Sequence, residues 1–457
     1  MFISIGGKMR VDLWKLGVER VGDVVAKTTH FNLHYNVTNK YKPVFDHLLG
    51  MYGCRYGKEI RCIVTNVARA INYRCVSIAV PRSRTTGAFS DNPQAISHRK
   101  LIALIDKMEK DGWFDVYIGG YMGDKHLVSL CVIKDKLLNL YNGVDVRDAV
   151  DTHFVEIKDR DSKECKPTRG VKGVADVNKF LKEVNSILRE TMIWHPEREY
   201  GVQQYKRVYT EDLKHGGRFY NTVGGVQVLS SDERKRLTIN GQPVVELDFK
   251  AMHASLLYEQ LWQDDPDSIE EFIATQMGGV YDPYGADLSY LSVDHDALEA
   301  YREKYNKPSY DPLRNLNKHA FMVSINARNF KQAYVQVTQE VVNDYEKRME
   351  GSEADCKFYG IVLGDRFPGN AVCKSIAEWN APIHPAFFHD SGIKLQYVDS
   401  EIMANIMTKM LTLKQPILPE HDSVIVRWDM EEQAREYMRE AYKAVVGSDR
   451  FCVIESK

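Results

Sequence analysis

The chain has 457 residues, 44% of them hydrophobic and 27% charged, which is enough for two or three domains with cores of their own. Its 61 basic and 63 acidic residues leave a formal net charge of −2, so bulk charge does not favour a polyanionic partner and any nucleic-acid surface must be local. No apolar run reaches bilayer-spanning length and the first residues do not resemble a secretion signal, which predicts a cytoplasmic protein with no membrane partner.

The first 150 residues predict an N-terminal domain that contains a winged helix at residues 95–133. Apolar residues recur at helical spacing over 101–108, and Gly112 follows as a stop signal. Two strand-like runs then flank a glycine-rich turn, which completes the order of helix, turn and β-hairpin that is typical of a winged helix.

Two basic residues at the start of this helix, Arg99 and Lys100, are candidates for contact with DNA. Winged helices serve as protein-docking modules as well as DNA readers. The sequence therefore leaves both partners open for this domain.

Residues 151–209 are predicted to form a connector and a helical segment. The first part, 151–176, is polar, charged and interrupted by Gly and Pro. Residues 210–457 then alternate strands with longer helices, so the fold class is mixed α/β, more specifically α+β. The predicted elements are a strand at 244–249, helices at 251–262 and 311–327, and a hairpin at 414–429.

Two aspartates in this last region lie at the edges of apolar strands. Asp248 closes the run VVELD, and Asp422 precedes the run SVIV. If the two strands are neighbours in one sheet, the carboxylates converge and can hold two Mg²⁺ ions that act on an in-line phosphoryl transfer. The alternative for Asp422 is an ordinary turn residue at a hairpin tip.

A helix between the two strands carries Arg314 and Lys318 one turn apart, and therefore on one face. Guanidinium and ammonium groups suit the charge that gathers on a departing pyrophosphate. The alternative is an exposed basic stripe on an amphipathic helix.

The order and content of these segments resemble the polymerase module of the family A DNA polymerases, over roughly residues 210–457. The matching pieces are 218–249 for the stretch that runs into motif A, Arg314 and Lys318 for motif B, 395–410 for the helix before motif C, and 421–447 for motif C and the segment after it.

The resemblance implies a right-hand palm and fingers after the N-terminal domain, and a template-directed nucleotidyltransferase that replicates a phage, plasmid or mobile element. Its partners would be a DNA primer-template and nucleoside triphosphates, with a helicase or a single-strand-binding protein as a further candidate. Asp248 and Asp422 would bind two Mg²⁺ ions, with Mn²⁺ as an alternative, and Arg314 and Lys318 would bind the triphosphate.

The same resemblance assigns contacts with nucleic acid. His421 would lie near the primer end, and Gln396 would touch the minor groove of the duplex. Arg218 and Arg234 would contact the template backbone.

Departures from the family pattern concern the metal site and the sugar pocket. Ser423 stands where the family has an acidic residue, which removes one carboxylate from the site. His253 occupies the place of the glutamate that blocks the sugar 2′ position. Asn326 and Ala327 replace a Tyr-Gly pair.

The aromatic position of motif B is taken by Phe321 or Met322, so the residue pair that excludes ribose is absent. Because Asn326 is shorter than Tyr and can pair with a 2′-OH, we expect poor discrimination against ribonucleotides, which would suit a primase. The alternative is that His253 and Asn326 form a sugar gate of their own.

Two other functions remain open at this stage. One is a non-catalytic DNA-binding replication or regulatory protein with a degenerate palm, which the loss of the acid at Ser423 favours. The other is a template-independent nucleotidyltransferase. Retention of both aspartates together with Arg314 and Lys318 favours an enzyme.

Overall fold

The computed structural model describes residues 2–5, 9–12, 28–33, 39–82, 92, 94–118, 121–122, 125–126, 129–147, 149–197, 200, 202–222, 225–364 and 366–457. Their secondary structure is mixed α and β, as the sequence predicts. The helices found there include none with both the length and the apolar character that crossing a bilayer requires.

The chain divides into two compact units. The first comprises Met1–Asp248, Met403–Met438 and Glu455–Lys457, and the second comprises Phe249–Ile402 and Arg439–Ile454. The predicted boundaries near 150 and 209 both fall inside the first unit.

The strands of the described residues are, in chain order, β1 (Phe2–Ile5), β2 (Met9–Asp12), β3 (Thr28–His30), β4 (Ser77–Val80), β5 (Phe114–Tyr117), β6 (Tyr121–Met122), β7 (Lys125–His126), β8 (Ser129–Ile133), β9 (Val155–Lys158), β10 (Cys165–Lys166), β11 (Ile193–Trp194), β12 (Tyr205–Thr210), β13 (Asp212–Asn221), β14 (Thr238–Ile239), β15 (Gln242–Phe249), β16 (Leu418–Glu420), β17 (Ser423–Arg427) and β18 (Ile454–Ser456).

The α-helices of the same residues are α1 (Lys42–Tyr52), α2 (Gly57–Asn72), α3 (His98–Lys110), α4 (Asp135–Leu138), α5 (Val174–Arg189), α6 (Ser231–Arg234), α7 (Met252–Asp264), α8 (Pro266–Gln276), α9 (His295–Lys304), α10 (Pro312–Asn326), α11 (Phe330–Met349), α12 (Gly369–Trp379), α13 (Gly392–Thr412) and α14 (Glu431–Val446).

In the first unit, helices α1 to α3 share a hydrophobic core with a four-stranded sheet of order β3-β4-β8-β5. Helix α3 buries the apolar residues that its spacing predicts, and Gly112 follows it with a φ of 75°. Strands β5 and β8 pair antiparallel, with Phe114 opposite Ile133. The predicted helix and hairpin are therefore confirmed, whereas the winged helix stays a prediction. Residues 119–120, 123–124 and 127–128 of that segment lie outside the described residues.

The segment predicted as a connector contributes to a second sheet of the first unit. Strands β9 and β10 lie within it, and the sheet has the order β10-β9-β12-β13. In β9, buried Val155 and Ile157 alternate with partly exposed Glu156 and Lys158, a two-residue period typical of a half-buried strand.

A buried ion pair ties α2 to the start of this segment. Arg69 Nε lies 2.8 Å from Asp151 Oδ1, and the two side chains are only 6% and 5% exposed. Arg69 Nη2 also donates to Asp151 Oδ2 at 3.1 Å, and the Tyr73 hydroxyl donates to the same oxygen at 3.3 Å. Removing one partner would leave the other charge buried, which costs far more than losing a surface pair.

We predict that Arg69→Met lowers the free energy of unfolding by about 3 kcal/mol, because Asp151 remains buried without its cation. Arg147→Met is the control, since the Arg147 side chain is 86% exposed and pairs with Asp145, which is 36% exposed, and its effect should stay below about 1 kcal/mol. Urea unfolding followed by circular dichroism measures both. Equal, small losses in the two variants would contradict the importance of the buried pair.

A third sheet of the first unit has the order β11-β14-β15-β17-β16, and β18 also pairs with β15. Strands β15 and β17 are antiparallel, and their register runs from Val244 opposite Arg427 to Asp248 opposite Ser423. Leu247 and the run Val424–Val426 are fully buried. The expectation that the strands near Asp248 and Asp422 are neighbours is thus confirmed.

The second unit is mainly helical. Helix α7 begins three residues after β15 ends, through Ala251 at a φ of 50°. Helix α10 begins after Asp311, whose carboxylate accepts hydrogen bonds from the first free backbone N–H groups, and Pro312 opens it. Both helices occupy the ranges that the sequence predicts within two residues.

Candidate active site

Acidic side chains meet where β15, β17 and β16 lie side by side. Asp248 lies opposite Ser423, and Ser423 lies opposite Glu420. Because directly opposed residues point to the same face, these three side chains form a row across the sheet. Glu246 lies two residues before Asp248 and therefore shares that face. Asp422 belongs to the two-residue turn between β16 and β17.

The turn itself presents an aromatic pair beside the acidic row. His421 adopts a φ of 58°, the left-handed conformation that tight hairpin turns use. Its exposed ring contacts that of Tyr220 edge-on, with ring centroids 5.8 Å apart. These two rings place aromatic faces and polar ring atoms next to Asp422.

Arg234 neutralises one carboxylate of the row. Its Nε and Nη2 lie 2.8 and 2.9 Å from the two oxygens of Glu246, and the side chains are 12% and 3% exposed. Ser423 Oγ donates a further hydrogen bond to Glu246 at 3.0 Å. Burial raises the pKa of Glu246, but the Arg234 guanidinium outweighs burial and holds that pKa below its usual range. Glu246 is therefore a fixed, ionised group.

Lys457 is the second cation of the cluster. Its Nζ lies 2.8 Å from Asp248 Oδ1 and 3.7 Å from Glu246 Oε1. Its backbone N–H donates to the Glu246 carbonyl oxygen at 3.0 Å. Burial lowers the pKa of Lys457, but the carboxylates of Asp248, Glu246 and Asp422 outweigh burial and raise it.

Glu420 is a partly buried acid of the cluster with a raised pKa. Burial raises its pKa to about 7, opposed by Arg234 and Lys457 and reinforced by Glu246 and Asp422. Its Oε2 atom is buried and has no hydrogen-bond partner among the described residues. Four carboxylates thus face two side-chain cations, and a further cation would be stabilised there.

Asp248 and Asp422 carry oxygen ligands of the type that Mg²⁺ prefers. Within the described part of the chain, no group of three or more His, Cys, Asp or Glu side chains is arranged to hold a metal ion. Mg²⁺ nevertheless binds to one or two carboxylates when waters and substrate phosphates complete its shell. Asp248 and Asp422 supply hard carboxylate oxygens, and the unsatisfied oxygen of Glu420 adds negative potential.

The second unit carries the predicted triphosphate residues on α10. Arg314 and Lys318 are both exposed and lie one turn apart. The guanidinium of Arg314 forms two hydrogen bonds with Asp282, at 2.7 and 3.0 Å. Asn317, on the buried side of the helix, donates to the carbonyl oxygens of Tyr284 and Ala286 and so fixes the loop that carries Asp282.

Of the residues predicted to line the nucleotide pocket, two are enclosed. His253 is 3% exposed, and its Nε2 lies 3.0 Å from Asp399 Oδ2. Phe321 is fully buried and packs edge-on against Tyr284 and Phe387. The structure gives both side chains packing roles inside the second unit.

The other two predicted pocket residues reach the surface of the second unit. Met322 is partly exposed and Asn326 is exposed. The Asn326 side-chain amide donates to the Met322 carbonyl oxygen at 2.7 Å and lies against Gly392, where a Cβ atom would be only 2.0 Å from Asn326 Oδ1. Asn326 is thus held in one position with its polar group near solvent.

The predicted nucleic-acid residues differ in their surroundings. Arg99 and Lys100 are exposed at the start of α3, whereas Arg218 on β13 and Gln396 on α13 are partly buried. Arg234, assigned by resemblance to the template backbone, forms an ion pair with Glu246 of the cluster. That contact explains its burial.

Three residues of the cluster were not predicted from the sequence: Glu246, Glu420 and Lys457. The first two had a usable signal, because Glu246-Leu247-Asp248 and Glu420-His421-Asp422 repeat an acid-x-acid pattern, and alternate strand residues share a face. Lys457 had no local signal, since only strand pairing brings it to Asp248.

Comparisons with known proteins give little further information. No protein-family model and no curated protein matches the sequence. Among solved structures, the chain is similar to the POL domain of Pol1 from M. smegmatis in complex with DNA primer-template and dNTP, at 12% identity and a TM-score of 0.27. The similarity covers 62% of this chain and 50% of that one. A TM-score this low does not establish a common fold.

We predict strong energetic coupling between Arg234 and Glu246. Arg234→Met and Glu246→Gln should each lower the free energy of unfolding by about 3 kcal/mol, while the double variant should lose about 2 kcal/mol less than the sum. The partly exposed pair Arg427 and Asp429, with side chains 24% and 40% exposed, provides the control cycle, with a coupling below about 1 kcal/mol. If the losses in free energy of unfolding from Arg234→Met and Glu246→Gln simply add in the double variant, the two side chains are not energetically coupled.

Proposed function

We propose that the protein is a template-directed nucleotidyltransferase, a DNA polymerase that extends a primer on a DNA template with nucleoside triphosphates. The observation that carries this proposal is the pairing of β15 with β17, which brings Asp248 level with the turn that holds Asp422. The resemblance of residues 210–457 to the family A polymerase module supplies the reaction class. Two such carboxylates beside a buried strand pair suit phosphoryl transfer.

Asp248 and Asp422 would hold Mg²⁺, which when bound supplies positive charge to the reacting phosphate and lowers the pKa of the attacking hydroxyl. Arg234 and Ser423 keep Glu246 ionised and in place behind Asp248.

Arg314 and Lys318 bind the triphosphate of the incoming nucleotide. The planar guanidinium of Arg314 donates two hydrogen bonds to the Asp282 carboxylate, and it can bind phosphate oxygens in the same bidentate geometry. A triphosphate would therefore have to replace Asp282 at this guanidinium. Lys318 adds a mobile point charge one turn along α10. His421, exposed beside Asp422, contacts the primer end.

The sugar pocket uses Asn326 rather than His253. The amide of Asn326 is exposed and fixed, whereas His253 is enclosed with Asp399. A polar amide at this place pairs with a 2′-OH, so the enzyme accepts ribonucleotides and can act in primer synthesis. Replication of a phage, plasmid or mobile element is the setting that such an activity fits.

A second candidate is a non-catalytic DNA-binding replication protein. The contact between Lys457 and Asp248 favours it, because a permanent ammonium on that carboxylate would block a divalent ion. Exposed Arg99 and Lys100 on α3 would then carry DNA binding.

We predict that Asp248→Asn and Asp422→Asn each reduce Mg²⁺-dependent primer extension at least about 100-fold, since each removes a charged metal ligand. Asp429→Asn is the matched control, because Asp429 is an exposed acid that follows β17 and pairs with Arg427. Its activity should equal that of the wild type. Extension on primed templates, with an unpaired primer alone as a second substrate, measures all four proteins.

Full activity of both aspartate variants, or an inactive wild type with every nucleotide, would overturn the enzymatic proposal and favour the binding protein. Equal extension of paired and unpaired primers would instead indicate template-independent nucleotidyl transfer.

We predict that Asn326→Ala lowers incorporation of ribonucleotides relative to deoxyribonucleotides about 5-fold, the value of one lost hydrogen bond. Asn343→Ala is the control, because Asn343 is a helical asparagine whose side chain accepts a hydrogen bond from Gln339 on the exposed face of α11. Ratios of kcat/KM for NTP and dNTP decide the result. A strong preference of the wild type for dNTPs, unchanged in Asn326→Ala, would contradict the assignment.

A further inference from the structure

We propose that Lys457 is a resident cation of the carboxylate cluster that competes with the divalent metal for Asp248, so that metal binding requires displacement of the Lys457 ammonium. This inference rests on the proposed function, because it takes Asp248 as a metal ligand. It adds a residue that neither the sequence pattern nor the resemblance indicates.

The contact that carries the inference is direct. Lys457 Nζ lies 2.8 Å from Asp248 Oδ1, and the Asp248 side chain is 17% exposed, so this ammonium occupies one of the oxygens that a metal would need. Carboxylate oxygens bind Mg²⁺ at about 2.0–2.1 Å. An ammonium and a divalent ion on one oxygen would repel each other strongly at such separations. The two cations are therefore alternatives.

The two cations of the cluster differ in how firmly they are held. Arg234 is 12% exposed and is fixed by two hydrogen bonds to Glu246 and one to the Leu229 carbonyl oxygen. Lys457 is 38% exposed and ends in a compact ammonium on a flexible stem. Lys457 is thus the cation that can leave.

A second carboxylate also lies close to the same ammonium. Lys457 Nζ is 3.7 Å from Glu246 Oε1, and the backbone N–H of Lys457 remains bonded to the Glu246 carbonyl oxygen. The side chain can therefore turn away from Asp248 while the strand stays paired. In this way the Lys457 ammonium offsets the negative charge of Asp248 when no metal is bound, and it moves off Asp248 when a metal binds.

The test is Mn²⁺ binding to the full chain without DNA or nucleotide, by isothermal titration calorimetry at constant ionic strength. Lys457→Met should lower the dissociation constant for Mn²⁺ about tenfold, because the competing cation is gone. Lys457→Arg should stay near the wild type. Lys40→Met is the matched control, since Lys40 is 41% exposed and pairs with Asp145 at 3.2 Å elsewhere in the first unit, and it should leave the constant unchanged.

Asp248→Asn separates the two levels of the proposal. Suppose that Asp248→Asn weakens Mn²⁺ binding, while the Mn²⁺ affinity of Lys457→Met equals that of the wild type or falls below it. The proposed competition between Lys457 and the metal is then wrong, and the assignment of Asp248 as a metal ligand stands. If Asp248→Asn leaves Mn²⁺ binding unchanged, the metal site and the competition both fail. Thermal unfolding verifies that each variant is folded. If Lys457→Met is not folded, Lys457→Gln is measured in its place.

Discussion

The register between β15 and β17 is the constraint on which the candidate site depends. Leu247 and the consecutive residues Val424–Val426 are fully buried, so both faces of this strand pair are covered and the pair lies in the interior of the first unit. The same pairing places Asp248 opposite Ser423, and so beside the turn that carries Asp422. Strand pairing and packing in the sheet thus bring the carboxylates close together. Their mutual repulsion opposes this close approach.

Charge balance in the cluster is achieved by two cations of different character. Arg234 is buried, bidentate and paired with Glu246, so it belongs to the framework. Lys457 is partly exposed and touches Asp248 through one contact, so it can be exchanged. Glu420 differs from Glu246 of the cluster, because burial raises the pKa of Glu420 to about 7.

The sequence predicted the local elements well because their signals are local. The spacing of Leu101 to Met108 defines α3, and two apolar runs with acidic ends define β15 and β17. The roles of Arg234 and Lys457 could not be predicted, because each depends on a tertiary contact. Strand β9 was not predicted, because the polar residues around it made the segment resemble a connector. The alternation of buried Val155 and Ile157 with partly exposed residues is the pattern of a half-buried strand. Alignment to a motif likewise gives a position such as His253 but not its burial.

The central claim is that Asp248 and Asp422 share divalent cations, and anomalous diffraction from crystals soaked with Mn²⁺ tests it most directly. Crystals of the protein with a primer-template and a non-reactive nucleotide analogue should show a Mn²⁺ peak within about 2.2 Å of carboxylate oxygens from both aspartates. Density for the Lys457 ammonium should then have moved off Asp248. A peak that contacts neither aspartate, or no peak at saturating Mn²⁺, would contradict the account.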